Sequence, residues 1–165
     1  MSAKDRFEEV VVGNLPMIRR IATAYESNGH LAEELAQDIA CAVWLALPSF
    51  RGDAAPKTFV ARIATNRAVS HVRRTLSRPQ LAELSEDLPA GEPTPEWQVI
   101  ARDGRERLVA AVRHLPLAQR QVALLTLEGF TAPEVGAVLG ISDNAVRVRL
   151  SRARAALLQT MGDMT

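Results

Sequence analysis

With 165 residues, the chain can form one ordinary domain or two small ones. Its formal net charge of +1 argues, taken alone, against a general nucleic-acid binder, and its single cysteine excludes an internal disulfide. No signal-peptide pattern is present and no apolar run approaches the roughly 18 residues that a membrane span needs. We therefore expect a cytoplasmic protein without membrane insertion.

The first third of the chain has the spacing of helices rather than strands. Apolar residues from Phe7 to Tyr25 recur at three and four, which predicts one or two helices with a break or a start at Pro16. The stretch HLAEELAQDIACAVWLAL, residues 30–47, predicts a strong helix that Pro48 ends. The apolar neighbours of Cys41 predict a buried packing role for its thiol. The predicted inward stripe of this helix is Leu31, Leu35, Ile39, Val43 and Leu47.

Charge changes sign along the middle of the chain. Residues 21–50 carry only acidic charges, residues 54–78 only basic ones and residues 79–101 only acidic ones, so local patches decide where a polyanion can dock. The loop FRGDAAPKT precedes a basic helix predicted from Phe59 to about Leu76. Prolines among acidic and small residues then mark a linker at 79–96. We predict an all-α fold of two small helical domains, 1–78 and 97–165, joined by this acidic Pro-rich linker.

The second domain is predicted to end in a helix-turn-helix. Thr131 and Glu134 form a capping box at the start of a short helix that Gly140 ends, and the Ser142 hydroxyl can cap the helix that follows. A tight turn containing glycine between two helices is the pattern of this motif. Two further helices are predicted before it, one ending near Val112 and one running from Pro116 to Gly129.

The last predicted helix carries the segment RVRLSRARA, residues 147–155. The stripe of Val146, Leu150, Ala153 and Leu157 predicts its core-facing side. We expect Arg147 and Arg154 to flank that stripe, and Arg149 and Arg152 to point away from it. The second helix of a helix-turn-helix enters the major groove, where arginines reach phosphates and guanine edges. The alternative is an ordinary solvated basic face.

No pattern predicts an enzyme, a metal site or a cofactor. His30, Glu33 and Glu34 resemble part of a zinc-protease motif, but the second histidine that this motif requires is missing. His71 and His114 stand alone in the sequence, no glycine-rich phosphate loop is present, and Cys41 has no candidate base in its local sequence. Catalysis by this chain is therefore not expected.

Two blocks of the sequence resemble bacterial extracytoplasmic-function (group IV) sigma factors. LPLAQRQVALLTLEGFTAPEVGAVLGISDNAVRVRLSRARAAL is similar to their C-terminal promoter-binding region, with its L-P-x-x-x-R, E-I-A-x-x-L-G and T-V-x-x-R-x-x-R-A-R-x-x-L patterns. EELAQDIACAVWLALPSFRGDAAPKTFVARIATNRAVSHVRR is similar to their N-terminal domain, with its D-x-x-Q-E helix, F-R-G-D loop and W-L-x-R-I-A-x-N helix. The blocks occur in family order, separated by the acidic linker.

The resemblance implies a dissociable subunit that binds core RNA polymerase, directs it to promoter DNA and helps to open the duplex. It also implies an anti-sigma factor as a partner, and a role in a stress or envelope response. Glu34, Gln37 and Asp38 match the family helix that docks on the clamp of the largest polymerase subunit. Their negative charge suits a basic partner surface, and the alternative is an ordinary solvated face.

Residues of the first domain match the family's contacts with the melted promoter element. Asn66 matches an asparagine that helps to hold a flipped base, and the alternative is a helix-interior asparagine satisfied locally. Pro56 within the loop, and Phe59-Val60 in place of Trp-Leu, depart from the family pattern. The full set of expected contacts to the melted element is Phe50, Arg51, Lys57, Phe59, Arg62, Asn66, Arg67, Arg73 and Arg74.

For the upstream promoter element, Arg147 and Arg149 are expected at base edges or their adjacent phosphates. Arg152 and Arg154 are expected to contact the backbone or to pack at the surface of the lobe. Ala145 stands where the family usually has threonine, and Val148 can offer only apolar contact. The expected set is Ser142, Asn144, Arg147, Val148, Arg149 and Arg152. Two other functions stay open from the sequence: a sigma-like module that sequesters an anti-sigma factor, and a plain helix-turn-helix repressor.

Overall fold

The computed structural model describes residues 2–77 and 96–163, with side chains described for 2–77 and 103–163. Within these ranges every regular element is helical and none is a strand, so the all-α prediction is confirmed. The predicted linker at 79–96 lies, except for its last residue, outside the described residues. The helices are α1 (Ala3–Val10), α2 (Leu15–Tyr25), α3 (Gly29–Ala46), α4 (Pro56–Ser77), α5 (Glu96–His114), α6 (Leu117–Leu127), α7 (Ala132–Leu139) and α8 (Asp143–Asp163), with 3-10 turns at Val12–Asn14 and Leu47–Ser49.

We refer to α1–α4 as the N-terminal lobe. Pro16 lies in the first turn of α2, which confirms it as a helix start. Helix α4 begins at Pro56, three residues before the predicted Phe59, because the fixed φ of proline suits the first turn of a helix. The inner face of α4 is built from small side chains such as Ala61, Ala64 and Ala68, which are all fully buried. These side chains let α2 and α3 pack closely against α4.

The predicted stripe of α3 is correct, but the prediction for Cys41 is wrong. Ile39 and Val43 are fully buried, whereas Cys41 is exposed. Because each helical residue turns by about 100°, a residue two positions after Ile39 points away from the core. The apolar neighbours of Cys41 therefore do not indicate the direction of its own side chain.

We refer to α5–α8 as the C-terminal lobe. Glu134 and Thr131 form the predicted capping box, and Gly140 ends α7 in the left-handed region with φ +70°. Gly129, with φ +91°, follows α6 as predicted. At Gly136 an added Cβ would lie 2.8 Å from the carbonyl oxygen of Ile141, so the tight turn requires glycine at this position.

The two lobes pack directly against each other. Helix α5 contacts α2, and both α6 and α7 contact α4. One continuous apolar cluster joins buried residues of the N-terminal lobe, such as Ile21 and Val60, to buried residues of the C-terminal lobe, such as Leu125 and Val135. None of the described helices combines the length and apolar character that a membrane span requires.

Candidate nucleic-acid interface

Helix α8 presents most of its basic side chains to solvent. The Ser142 hydroxyl accepts a hydrogen bond from the backbone N–H of Ala145 at 3.1 Å, which confirms it as the cap of this helix. Val146 and Ala153 are fully buried, as the predicted stripe requires. The side chains that face solvent in this region include those of Ser142, Asn144, Arg147, Val148, Arg152 and Arg154.

Arg149 differs from the other arginines of α8 because it is half-buried. It lies three residues after the fully buried Val146 and therefore shares part of its side of the helix. The expectation that Arg149 points away from the core-facing stripe is wrong. Arg147, one residue after Val146, is exposed and is the freer of the two candidates for base contacts.

Asn66 lies in the interior of α4 with its side chain exposed. No hydrogen bond holds its amide within the part of the chain that the structure describes. The alternative of an asparagine satisfied by its own helix is therefore not what the structure shows, and both the carbonyl oxygen and the NH2 group of the amide are available to pair with the edge of a base.

The aromatic pair Phe50 and Phe59 lies at the start of α4, with ring centroids 4.6 Å apart and planes tilted by 40°. This geometry is typical of favourable aromatic contacts, and both rings are only half-buried. Arg51 is exposed in the adjoining loop, which turns at Gly52 with φ +81°. Aromatic faces beside an exposed cation can stack and attract a single-stranded nucleic acid.

Two of the expected phosphate contacts, Lys57 and Arg62, are engaged by the C-terminal lobe. The Lys57 ammonium donates to the carbonyl oxygen of Glu128 and lies 4.7 Å from the centre of the Phe130 ring. The Arg62 guanidinium donates to the carbonyl oxygen of Ala137 at 3.1 Å. Neither partner could be predicted from the sequence, since the contacts join residues more than seventy positions apart.

The remaining cations of α4 differ in whether another side chain binds them. Arg67 lies 3.7 Å from the Asp38 carboxylate, so a residue expected at DNA pairs with one expected at the polymerase. Each side chain is 47% exposed, which limits the strength of the ion pair. Arg73 and Arg74 are exposed near the end of the helix, and Arg74 makes only a long 3.4 Å hydrogen bond to the carbonyl of Ser70.

The three candidates for polymerase docking lie on the exposed side of α3. Glu34 pairs with His30 at 3.2 Å, and this confirms His30 as a surface residue. Gln37 is exposed and lines an apolar groove between α1 and α3 that Trp44 and Cys41 also line. Trp44 is 53% exposed. The sequence analysis did not identify Trp44 as an exposed aromatic residue. Its position on the side of α3 opposite the buried stripe could have indicated this exposure.

A further cluster lies where α2 meets α4 and α5. The Nε2 of His71 lies 2.6 Å from the Glu26 carboxylate, so His71 does not stand alone as its sequence context suggested. Arg113 donates from Nε to the carbonyl oxygen of Thr23 at 2.9 Å, and burial lowers the pKa of Arg113. In the described ranges, no group of three or more His, Cys, Asp or Glu side chains comes together as a metal site.

An ion pair also joins the two lobes. Arg20 donates from two nitrogens to the two carboxylate oxygens of Glu128, at 2.7 and 2.8 Å. This hydrogen bonding raises the pKa of Arg20.

A second contact between the lobes joins Arg120 to Tyr25. Arg120 stacks over the Tyr25 ring with its guanidinium 5.5 Å from the ring centre. Burial lowers the pKa of Arg120 and raises that of Tyr25.

Comparison with protein families gives two matches that follow one another along the chain. Residues 10–78 match Sigma-70 region 2, and residues 105–157 match Sigma-70, region 4. The first match covers α2–α4 and the second covers the helix-turn-helix.

Two relatives are similar over most of the chain. The RNA polymerase sigma factor CnrH of Cupriavidus metallidurans is 34% identical over 134 residues, which cover 76% of this chain and 70% of that protein. The ECF RNA polymerase sigma factor SigE of Mycolicibacterium smegmatis is 33% identical over 162 residues, which cover 93% of this chain and 60% of that protein.

Two solved structures share the fold. The sigma factor RpoE of Bartonella quintana, in complex with the anti-sigma factor NepR, superposes with a TM-score of 0.72 and 24% identity, covering 94% of this chain and 96% of that chain. CnrH in complex with the cytosolic domain of CnrY superposes with a TM-score of 0.68 and 25% identity, covering 96% of this chain and 89% of that chain.

Proposed function

The chain belongs to the extracytoplasmic-function group of RNA polymerase sigma factors, and we infer that it binds core RNA polymerase, recognises promoter DNA and initiates transcription. The observation that carries this function is the presence of both family regions in one chain, in family order. A plain helix-turn-helix repressor would not account for the N-terminal match. In this role the chain is an initiation factor, and the chemistry of RNA synthesis belongs to the polymerase.

We propose that each lobe has its own task. The domain at 1–78 docks on the polymerase and contacts the melted element, the domain at 97–165 binds the upstream element, and the linker at 79–96 connects them. The exposed amide of Asn66 and the half-buried rings of Phe50 and Phe59 support the first task, because an amide can pair with a base edge and rings can stack on bases. The further contacts proposed for the melted element are Arg51, Lys57, Arg62, Arg67, Arg73 and Arg74.

For the upstream element we propose that Arg147 reads a base edge and that Arg152 contacts the phosphate backbone. Both are exposed on a helix that a helix-turn-helix unit would place in the major groove. Arg149 is half-buried, so its proposed contact is to the phosphate beside a base. Ser142, Asn144 and Val148 lie near the start of the same helix and complete the proposed surface.

An anti-sigma factor is the proposed regulatory partner. Among the structural neighbours, RpoE is in complex with the anti-sigma factor NepR, and CnrH is in complex with the cytosolic domain of CnrY. Because the proposed activity requires access to polymerase and promoter DNA, we propose that the protein acts in the cytoplasm. Its signal would belong to a stress or envelope response, as the resemblance implies.

The polymerase contact can be tested on α3. We propose that Glu34, Gln37 and Asp38 face a basic surface of the polymerase clamp. Asp38→Lys should weaken binding to core polymerase by about tenfold or more, because like charges facing each other across an interface are strongly unfavourable. The measurement is a titration of labelled chain with purified core enzyme, followed by transcription from a cognate promoter in vitro.

Two further variants make this experiment decisive. Glu9→Lys introduces the same charge change at an exposed position of α1, outside the proposed contact on α3, and should bind core normally. Asp38→Asn removes the charge without placing a second cation beside Arg67, and should show a smaller loss in the same direction. Unchanged core affinity in folded Asp38→Lys would remove this surface from the proposed function.

A further inference from the structure

An ion pair joins two surfaces of the N-terminal lobe to which the proposed function gives different partners. Asp38 of α3 belongs to the proposed polymerase contact, and Arg67 of α4 belongs to the proposed contact with the melted element. The Asp38 carboxylate and the Arg67 guanidinium lie 3.7 Å apart, where α3 packs against α4. We call these two residues the α3–α4 ion pair.

The α3–α4 ion pair is close enough for electrostatic attraction, but it is not a hydrogen bond. A separation of 3.7 Å between nitrogen and oxygen exceeds the length of a hydrogen bond. Each side chain is 47% exposed, so water can solvate either group when the pair separates. Breaking the pair therefore leaves no buried group unsatisfied, and either member can exchange its partner at little cost in free energy.

The other acidic residue of the proposed polymerase contact is paired differently. Glu34 lies 3.2 Å from His30, one turn earlier on the same helix, so a change at Glu34 stays within α3. Asp38 instead pairs with a residue of another helix. Its partner Arg67 directly follows Asn66, whose exposed amide contacts a base in the proposed function. Of the two acidic residues, Asp38 is thus the one that connects the polymerase contact with the DNA contact.

The opposite charges of the α3–α4 ion pair limit what Arg67 contributes to DNA binding by the free chain. A phosphate near Arg67 is attracted by the guanidinium and repelled by the neighbouring Asp38 carboxylate. A cation of the polymerase at Asp38 neutralises that carboxylate, so the net charge beside the phosphate becomes positive. The same cation repels the Arg67 guanidinium, which favours a phosphate as its new partner.

We propose that the α3–α4 ion pair couples the two contacts, so that core polymerase bound at Asp38 releases Arg67 for the DNA backbone. This inference rests on the proposed function and concerns the regulation of the same two surfaces. By linkage, DNA bound at Arg67 strengthens the polymerase contact by the same factor. A half-exposed ion pair supplies only a small factor, about two- to fivefold. The coupling favours single-stranded DNA binding by holoenzyme over binding by the free chain.

The first measurement is the affinity of the full chain for purified core polymerase without DNA. Arg67→Gln leaves the Asp38 carboxylate without its cation and should bind core about two- to fivefold more tightly than Arg105→Gln does. Arg105→Gln is the matched control: it makes the same change in net charge at an exposed position of α5. Arg67→Lys retains the positive charge and should lose most of this gain. In the Asp38→Asn background, Arg67→Gln should give no gain.

The second measurement is the affinity of the free chain for a short fluorescent single-stranded DNA. Asp38→Asn reproduces the neutralisation by polymerase and should bind this DNA about two- to fivefold more tightly than Glu9→Gln does. Glu9→Gln removes the same charge at an exposed position of α1. The gain should require Arg67, so it should be absent when Arg67→Gln is added to both variants. Both gains should shrink at higher salt, because the pair is half-exposed.

Tighter core binding by Arg67→Gln and tighter DNA binding by Asp38→Asn, each absent from the double variant, would support the coupling. A gain in affinity cannot result from a loss of folding. Core affinity equal to or below that of Arg105→Gln would overturn the coupling, and so would DNA affinity of Asp38→Asn equal to that of Glu9→Gln. The proposed function fails differently, through unchanged core affinity in folded Asp38→Lys, whereas the coupling can fail while Asp38→Lys still loses core affinity.

Discussion

Helices α4 and α8 are both basic, but they differ in what their cations contact. Lys57, Arg62 and Arg67 of α4 each have a partner elsewhere in the chain. The exposed arginines of α8, such as Arg147 and Arg152, have none among the described residues. The exposed arginines of α8 are therefore free to contact DNA, whereas Lys57, Arg62 and Arg67 of α4 must first give up contacts within the protein.

The difference follows from where the two helices lie in the fold. Helix α4 is central, with contacts to α2 and α3 on one side and to α6 and α7 on the other. Helix α8 packs mainly against α5, α6 and α7, which all belong to its own lobe. Along its length only Val146 and Ala153 are fully buried. The cations of α4 that contact the C-terminal lobe, Lys57 and Arg62, can contact DNA only by exchanging partners, whereas the exposed arginines of α8 can do so without rearrangement.

The largest expected effect comes from removing α8 from its position. In Gly136→Ala the new Cβ would meet the Ile141 carbonyl oxygen at 2.8 Å, so the turn before α8 must shift. We expect a loss of about 1–3 kcal/mol in the free energy of unfolding, as for other overpacked sites, and loss of upstream-element binding. Urea denaturation and a duplex binding assay provide the two measurements.

A matched glycine controls for the change of residue type. Gly104 lies within α5, and an added Cβ there would have no neighbour within 4 Å. Gly104→Ala should therefore stabilise the protein by roughly 0.5–1 kcal/mol, because alanine loses less conformational freedom in a helix. Equal destabilisation by both variants would show that the turn does not depend on the close approach at Gly136.

The next largest effect is expected at Arg147. If this exposed side chain makes a bidentate contact to a base, Arg147→Ala should cost about 1–3 kcal/mol of binding and relax the preference at particular base pairs. Arg152→Ala should instead weaken all sequences about equally and lower the slope of log affinity against log salt by about one unit. Salt titrations of holoenzyme on upstream-element variants separate the two. The same response from both variants would assign both residues to the backbone.

The features of α7 and α8 that the sequence predicts correctly are local ones. The capping box of Thr131 and Glu134, the left-handed Gly140 and the cap at Ser142 each involve residues within a few positions of one another. Their hydrogen bonds depend on backbone geometry that neighbouring residues determine, so one sequence suffices to predict them. The family resemblance added the order of the two domains and the expected function.

The features that the sequence analysis missed connect distant residues or depend on the direction of one side chain. Arg20 and Glu128 are 108 positions apart, and neither is unusual in its local sequence. The contact between His71 and Glu26 could not be predicted from the sequence for the same reason, since these residues are 45 positions apart. Cys41 and Arg149, in contrast, could have been placed correctly by counting helical rotation from the buried Ile39 and Val146.

In α4, the exposed side-chain amide of Asn66 makes no hydrogen bond within the described residues. Asn66→Ala should slow promoter opening by about two- to tenfold, the range expected for the loss of one hydrogen bond to a base, and should leave initial duplex binding nearly unchanged. Opening can be followed with a fluorescent base in the melted element. An equal loss in both steps would assign Asn66 a structural role.

The smallest expected effect is the difference in DNA affinity between variants of two α4 cations, one with a partner in the C-terminal lobe and one exposed to solvent. Arg73 is exposed, whereas Lys57 donates a hydrogen bond to the carbonyl oxygen of Glu128 in the C-terminal lobe. If each contacts one phosphate of the single strand, Arg73→Ala should lower the salt slope of free-chain binding by about 0.7 units, and Lys57→Ala should lower it equally. The two affinities should nevertheless differ. Lys57→Ala also removes a contact that holds the lobes together, so easier opening offsets part of its loss, whereas Arg73→Ala has no such compensation.

In holoenzyme, where polymerase rather than the C-terminal lobe would position α4, that offset should disappear and the two variants should lose affinity to the same extent. The measurement is a salt titration of both variants on single-stranded DNA, once as free chain and once as holoenzyme. If Lys57→Ala and Arg73→Ala behave alike in both forms, the Lys57 contact with the C-terminal lobe carries no weight in DNA binding. The difference between α4 and α8 would then concern only their packing.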